Sequence, residues 1–137
     1  MKIKLAKGAF APTRAHDTDA GIDLRAMRGQ RIMPHSSATF RTGVSIELPP
    51  NTAGVIMSKS GLNIKHNLTA TGLVDEPYRG EIMVKLYNHG EDSYLVSAGQ
   101  MIAQLVVQPV LYEPLEFVDE LDVDTDRGTD GFGSTGK

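Results

Sequence analysis

Apolar and polar residues alternate with period two along much of this chain, and helical periodicity hardly appears. A strand sends successive side chains to opposite faces, so alternation marks a ribbon with one face buried. Ile3 with Leu5, Val44 with Ile46 and Leu48, and Ile82 with Val84 and Leu86 each put apolar groups on one face and predict half-buried strands. Val55-Ile56-Met57 and Leu105-Val106-Val107 are uninterrupted apolar runs, which predict strands covered on both faces. Turn formers at Arg28-Gly29, Pro49-Pro50-Asn51, Asn88-His89-Gly90 and Ala98-Gly99 separate these segments. A turn or two of helix is predicted from about Ser60 to Asn67. The sum is an all-β fold, a sandwich or barrel of many short strands.

A chain of 137 residues with 40% hydrophobic content makes one domain with room for a core. We expect that core in residues 1–117, followed by an acidic linker over 118–126 and a glycine-rich tail over 127–137. Asp122, Asp124 and Asp126 have calcium-loop spacing, but the loop's sixth position is Arg127 where glycine is needed, and its twelfth is Gly133 instead of glutamate. A net charge of −3 argues against a nucleic-acid binder, so a phosphorylated ligand would need a local cationic site. There is no cysteine, and His16, His35, His66 and His89 lie too far apart for a local zinc motif. The N-terminus lacks a signal-peptide apolar region and no membrane-length apolar run exists, so the expectation is a soluble cytoplasmic protein.

Five stretches carry chemistry. The tail from Arg127 to Lys137 combines glycines with Phe132, Ser134 and Thr135, groups suited to close over a flat ring and phosphates. Gly131 to Lys137 also fits most of a Walker A expression, but no Ser or Thr and no helix follow the lysine. Asp23 stands between Ile22 and Leu24, on the opposite strand face from theirs. Ser58-Lys-Ser-Gly-Leu62 sets Lys59 and Ser60 at a helix start, readable as an anion site or as an ordinary N-cap. In Gly72-Leu-Val-Asp-Glu-Pro-Tyr-Arg-Gly-Glu-Ile82, Asp75 directly follows Leu73-Val74, where a general base would be rigid and partly desolvated, and Tyr78 folds back toward it. Plain turn formation is the alternative there. Gln104 lies in an otherwise apolar strand and needs polar partners.

In this order the five stretches resemble the five motifs of the trimeric deoxyuridine triphosphatases, through A-G-I-D-L, S-G-L, G-L-V-D-x-x-Y-R-G-E, A-Q-L and R-G-x-x-G-F-G-S-T-G. The resemblance implies a jelly-roll-like β-barrel and a homotrimer with active sites shared between subunits. It implies that Gly72, Leu73, Val74 and Met83 surround uracil, and that Tyr78 packs on the deoxyribose. Asp75 would activate water for attack on the α-phosphorus of dUTP, giving dUMP and pyrophosphate. Lys59, Ser60, Gly61 and Gln104 would meet the phosphates, and Asp23 would touch the water shell of a magnesium ion. Phe132 would cover the uracil, and Arg127, Ser134 and Thr135 would reach the terminal phosphates. Such an enzyme removes dUTP from the nucleotide pool and supplies dUMP for thymidylate synthesis.

This sequence departs from the family pattern at Lys59 and Met101, where arginine is frequent, at Thr69, where some relatives have asparagine, and at Asp130, which replaces a glycine. A dCTP deaminase, which shares the fold, would need glutamate where Lys85 stands. A nucleotide-binding module without turnover would have no need of Asp75.

Overall fold

Alternation is most complete in the strand Glu81–Asn88, where Ile82, Val84 and Leu86 are buried while Met83, Lys85 and Tyr87 face out. The computed structural model describes residues 1–129 and is all-β apart from one short helix. In chain order the elements are β1 Lys2–Leu5, β2 Gly21–Arg25, β3 Gln30–Ile32, β4 Ser36–Glu47, β5 Thr52–Met57, α1 Ser60–His66, β6 Leu68–Val74, β7 Glu81–Asn88, β8 Tyr94–Val96 and β9 Met101–Pro109. Seven strands form one curled sheet in the order β1-β4-β7-β6-β5-β9-β2, and β3 pairs with β8 in a separate ribbon. Every pairing is antiparallel. The core lies inside the curl, with Leu24, Leu68, Val84, Ile102 and Leu105 essentially sealed from water and Ile32 and Val96 entering from the ribbon.

Strand β6 makes the corner. Its first half, Leu68 to Ala70, pairs with β7, and its second half, Thr71 to Val74, pairs with β5. A strand that changes partners midway lets a twisted sheet fold over a core without breaking hydrogen bonds. Helix α1 precedes it and buries no residue, with Leu62 alone packed against the core. The helix ends where Asn67 adopts a left-handed conformation at φ 53°. Its N-cap is Lys59, which makes no side-chain capping bond, so Ser60 opens the helix without capping it.

Several expected burials differ. Of Val55-Ile56-Met57 only Ile56 is buried, and of Leu105-Val106-Val107 only Leu105, because β5 and β9 lie in a sheet with one face on the core. Ile3 and Leu5 are exposed because β1 is an edge strand paired only with β4. Ile22, Asp23 and Leu24 are all buried, so the two faces of β2 are both covered. Strand pairing ends at Pro109, ahead of Phe117, and Leu111, Leu115 and Phe117 are exposed. Among the described residues no helix is long and apolar enough to cross a membrane.

A bulge interrupts β4. Its register against β7 jumps from Arg41↔Met83 to Ser45↔Glu81, so extra residues must leave the ladder. Gly43 takes φ 68°, and a Cβ there would collide with the Ala9 side chain and the Met27 sulfur. Two side chains satisfy the freed backbone groups. The Thr42 hydroxyl, fully buried, donates to the Ile82 carbonyl at 2.6 Å and accepts from the Val44 N–H at 3.2 Å. Glu81 accepts the Gly43 N–H at 2.8 Å and holds Arg41 by bonds of 2.9 and 2.8 Å to its Nε and Nη2.

The Arg41 hydrogen bond, aided by the Gly43 N–H, holds the Glu81 carboxyl below its ordinary value of 4.5 against the opposing effect of burial. A lowered carboxylate contributes stability that is complete above the ordinary value and lost as pH falls through the folded one. Urea unfolding of the wild type and of Glu81→Gln is therefore expected to differ clearly at about pH 7 and to converge as pH falls below the ordinary carboxylate range and through the lowered folded value. A gap that stays constant over that range would remove the ion pair as the source of the difference.

Candidate active site

Between β6 and β7 the chain makes a tight turn that carries two of the expected site residues. The Tyr78 N–H donates to the Asp75 carbonyl at 3.1 Å, closing the turn, and the Tyr78 hydroxyl donates to the Glu81 carbonyl at 3.0 Å. The phenol thus folds back over the hairpin. A Cβ on Gly80 would collide with that ring, so the position must be glycine for Tyr78 to lie there. Ile56, Gly72, Leu73, Val74, Asp75, Tyr78, Glu81, Ile82 and Met83 line a groove of about 370 Å³, within the size range of ligand sites. Gly72, Leu73, Val74 and Met83, expected around a base, are therefore brought together with the candidate general base. Leu73, Tyr78 and Met83 are exposed by 66%, 47% and 52%, an apolar rim left uncovered by the described residues. Asp75 is exposed as well, so the desolvation expected for it is not supplied by the described residues.

A second cluster lies across β5. Asp23 in β2 pairs in register with Gln104 in β9, and Gln104 pairs with Met57 at the end of β5. Asp23 is 8% exposed and forms an ion pair with the Lys59 ammonium, which satisfies a charge that burial alone would penalise. The Gln104 amide donates to the Ser58 carbonyl at 3.2 Å. Ser58 is the residue the sequence reading missed: its hydroxyl donates to the Ala70 carbonyl at 3.1 Å and accepts the Ala70 N–H at 2.9 Å. This bracket pins the segment from Ser58 to Gly61 against β6, and leaves Ser60 and Gly61 exposed beside Lys59. A serine just past a strand end was the only signal of that role.

The two clusters lie apart along β5. Val74 pairs with Gly54 at one end of β5, while Gln104 and Thr71 flank Met57 at the other. Three residues of strand at about 3.3 Å each separate those rungs by on the order of 10 Å, and Asp75 and Lys59 lie beyond opposite ends. Among the described residues no group of three or more His, Cys, Asp or Glu side chains is placed to hold a metal ion. Thr69 bonds His89 at 2.8 Å, away from the groove lining. Met101 is half-buried at the start of β9, and Arg127 is exposed near the end of the described chain. Phe132, Ser134 and Thr135 lie outside the described residues.

Comparison with known proteins identifies the family. The dUTPase family model matches residues 8–136. The deoxyuridine 5'-triphosphate nucleotidohydrolase of Gloeothece citriformis is 49% identical over 142 residues, covering 99% of this chain and 97% of its own. That of Clostridium acetobutylicum is 44% identical, covering 99% and 96%. Among solved structures, the dUTPase of Staphylococcus bacteriophage 80alpha with dUPNHPP superposes with a TM-score of 0.91 at 29% identity, covering 99% of this chain and 98% of that one. The dUTPase of phage phi11 of S. aureus, described with a structural Mg(II) ion, gives 0.80 at 25% identity over 87% and 96%. With a family model that spans nearly the whole chain and relatives close to half identical from end to end, this protein belongs to the dUTPase family.

Proposed function

We propose that this chain hydrolyses dUTP to dUMP and pyrophosphate as a homotrimer whose active sites each draw residues from more than one copy. The observation that carries the reading is the turn that fixes Asp75 and Tyr78 together at the mouth of a groove built mainly from β6 and β7. Main-chain groups of Gly72 to Val74, with Met83 opposite, hold the uracil, and close backbone approach leaves no space for a methyl on the ring. The Tyr78 ring, held by Glu81, packs on the sugar where a 2′-hydroxyl would collide. The Asp75 carboxylate takes a proton from a water as the water oxygen bonds to the α-phosphorus. The bond from that phosphorus to the bridging oxygen of the β-phosphate breaks, and pyrophosphate leaves.

The exposed apolar rim and the separation of the two clusters support assembly between copies. A second copy of the Lys59, Ser60, Gly61 and Gln104 region supplies the phosphate contacts, and its cover provides the desolvation that Asp75 lacks among the described residues. The tail closes the site through Phe132 over the base and Arg127, Ser134 and Thr135 on the phosphates. Magnesium fits this donor set, since it keeps several waters and takes few protein carboxylates; Asp23 would contact its water shell, and the ion would neutralise phosphate charge.

Asp75→Asn should still bind a non-hydrolysable dUTP analogue while pyrophosphate release falls by about 10³-fold or more. Turnover within a few fold of wild type would exclude Asp75 as the base. Removing residues 127–137 should leave the oligomer intact by light scattering and lower kcat/KM by about 10²-fold or more. Dissociation to monomers on truncation would show that the tail serves assembly instead.

A further inference from the structure

The Asp75 carboxylate makes no hydrogen bond to another described residue, so its aim depends on the backbone that carries it. That backbone is fastened from outside the groove by the next residue. The half-buried Glu76 carboxylate accepts two hydrogen bonds at Oε2, from the Asn51 N–H at 2.8 Å and from the Tyr112 hydroxyl at 3.0 Å. Asn51 belongs to the β4–β5 turn and has φ 58°; its carbonyl accepts the Val110 N–H at 2.9 Å. Tyr112 lies just past β9, at the root of the chain that leads to the tail. One carboxylate oxygen therefore joins the candidate catalytic turn, the β4–β5 turn and the start of the C-terminal segment. On the near side of the same turn, Arg79 Nη1 donates to the carbonyls of Glu76 at 2.6 Å and of Tyr78 at 3.0 Å.

We propose that Glu76 is a positioning residue for the hydrolysis, holding the Asp75 turn in its working orientation through Asn51 and Tyr112. The inference rests on the dUTP reading of the groove and adds to it a residue that touches neither substrate nor metal. Its side chain points away from the groove toward two fixed donors, and its backbone is continuous with Asp75. The Tyr112 phenol is held above its ordinary value by partial loss of water and by the bond to Glu76, as expected for a donor shared with a carboxylate. Small displacements of a general base are costly, because proton transfer and in-line attack both need the water held at one distance and angle.

Steady-state dUTP hydrolysis by Glu76→Ala, Glu76→Gln and Tyr112→Phe tests this. Glu76→Ala is expected to lose kcat by on the order of tenfold with KM nearly unchanged, since substrate contacts remain in place. Glu76→Gln retains an oxygen that accepts both bonds, so it should recover to within about threefold of wild type. Tyr112→Phe removes one of two bonds and should fall between them, which keeps the test usable should Glu76→Ala fold poorly. Unchanged kcat in Glu76→Ala, a rise in KM alone, or equal losses in Gln and Ala variants would each overturn the assignment. Hydrogen exchange at the Asn51 amide reads the clamp without turnover and should quicken in Glu76→Ala but not in Glu76→Gln. If the wild type released no pyrophosphate, the dUTP reading would fail on its own, whereas unaltered exchange in Glu76→Ala would overturn the clamp.

Discussion

The contacts of the Glu81 carboxylate set the position of nearly everything described around the groove. It accepts the N–H of Gly43, a residue that has left the β4 ladder, and it holds Arg41 of the same strand by two nitrogens. The bulge it stabilises fixes how β4 and β7 are offset, and β7 in turn fixes where the hairpin from β6 must end. From the same residue, the backbone carbonyl accepts the Tyr78 hydroxyl. The carboxylate therefore secures a backbone defect on one side, and the main-chain carbonyl of the same residue orients an aromatic ring on the other. Partial burial of the carboxylate would be costly without those partners.

Much of the fold was legible from alternation, because β7 has a single buried face and period two reports that condition directly. The helix bounds were legible too, since Asn67 can take the left-handed turn that ends α1. Continuous apolar runs misled for β5 and β9: such a run specifies apolar side chains on both faces, but not what covers the outer face. Met57 is exposed and Val106 only partly buried on the side away from the core. The bulge at Thr42-Gly43 had a signal, a glycine inside a strand pattern, but its partner Glu81 is distant in sequence and no local rule connects them.

The same division applies to the site. Asp75 and Tyr78 were recognisable because a carboxylate and an aromatic residue share one short turn between apolar strands. Ser58 and Glu76 were not, because each acts by bonding backbone groups that only the fold brings near. The pairing of Asp23 with Lys59 was likewise invisible, although both residues were singled out. It gives the buried carboxylate a cation that is itself a candidate phosphate contact, so the arrival of a polyanion would change the environment of both groups.

The absence of a side chain at Gly80 has a consequence for the place of the Tyr78 ring. Tyr78 occupies its place only because nothing projects from the residue two positions along, and its contact with β7 is a single bond to a carbonyl. Any side chain introduced there would swing the phenol outward while leaving the aromatic residue itself intact. The place of a ring proposed to meet the sugar is thus set by a residue outside the groove lining, and a survey confined to the residues lining the groove would overlook it.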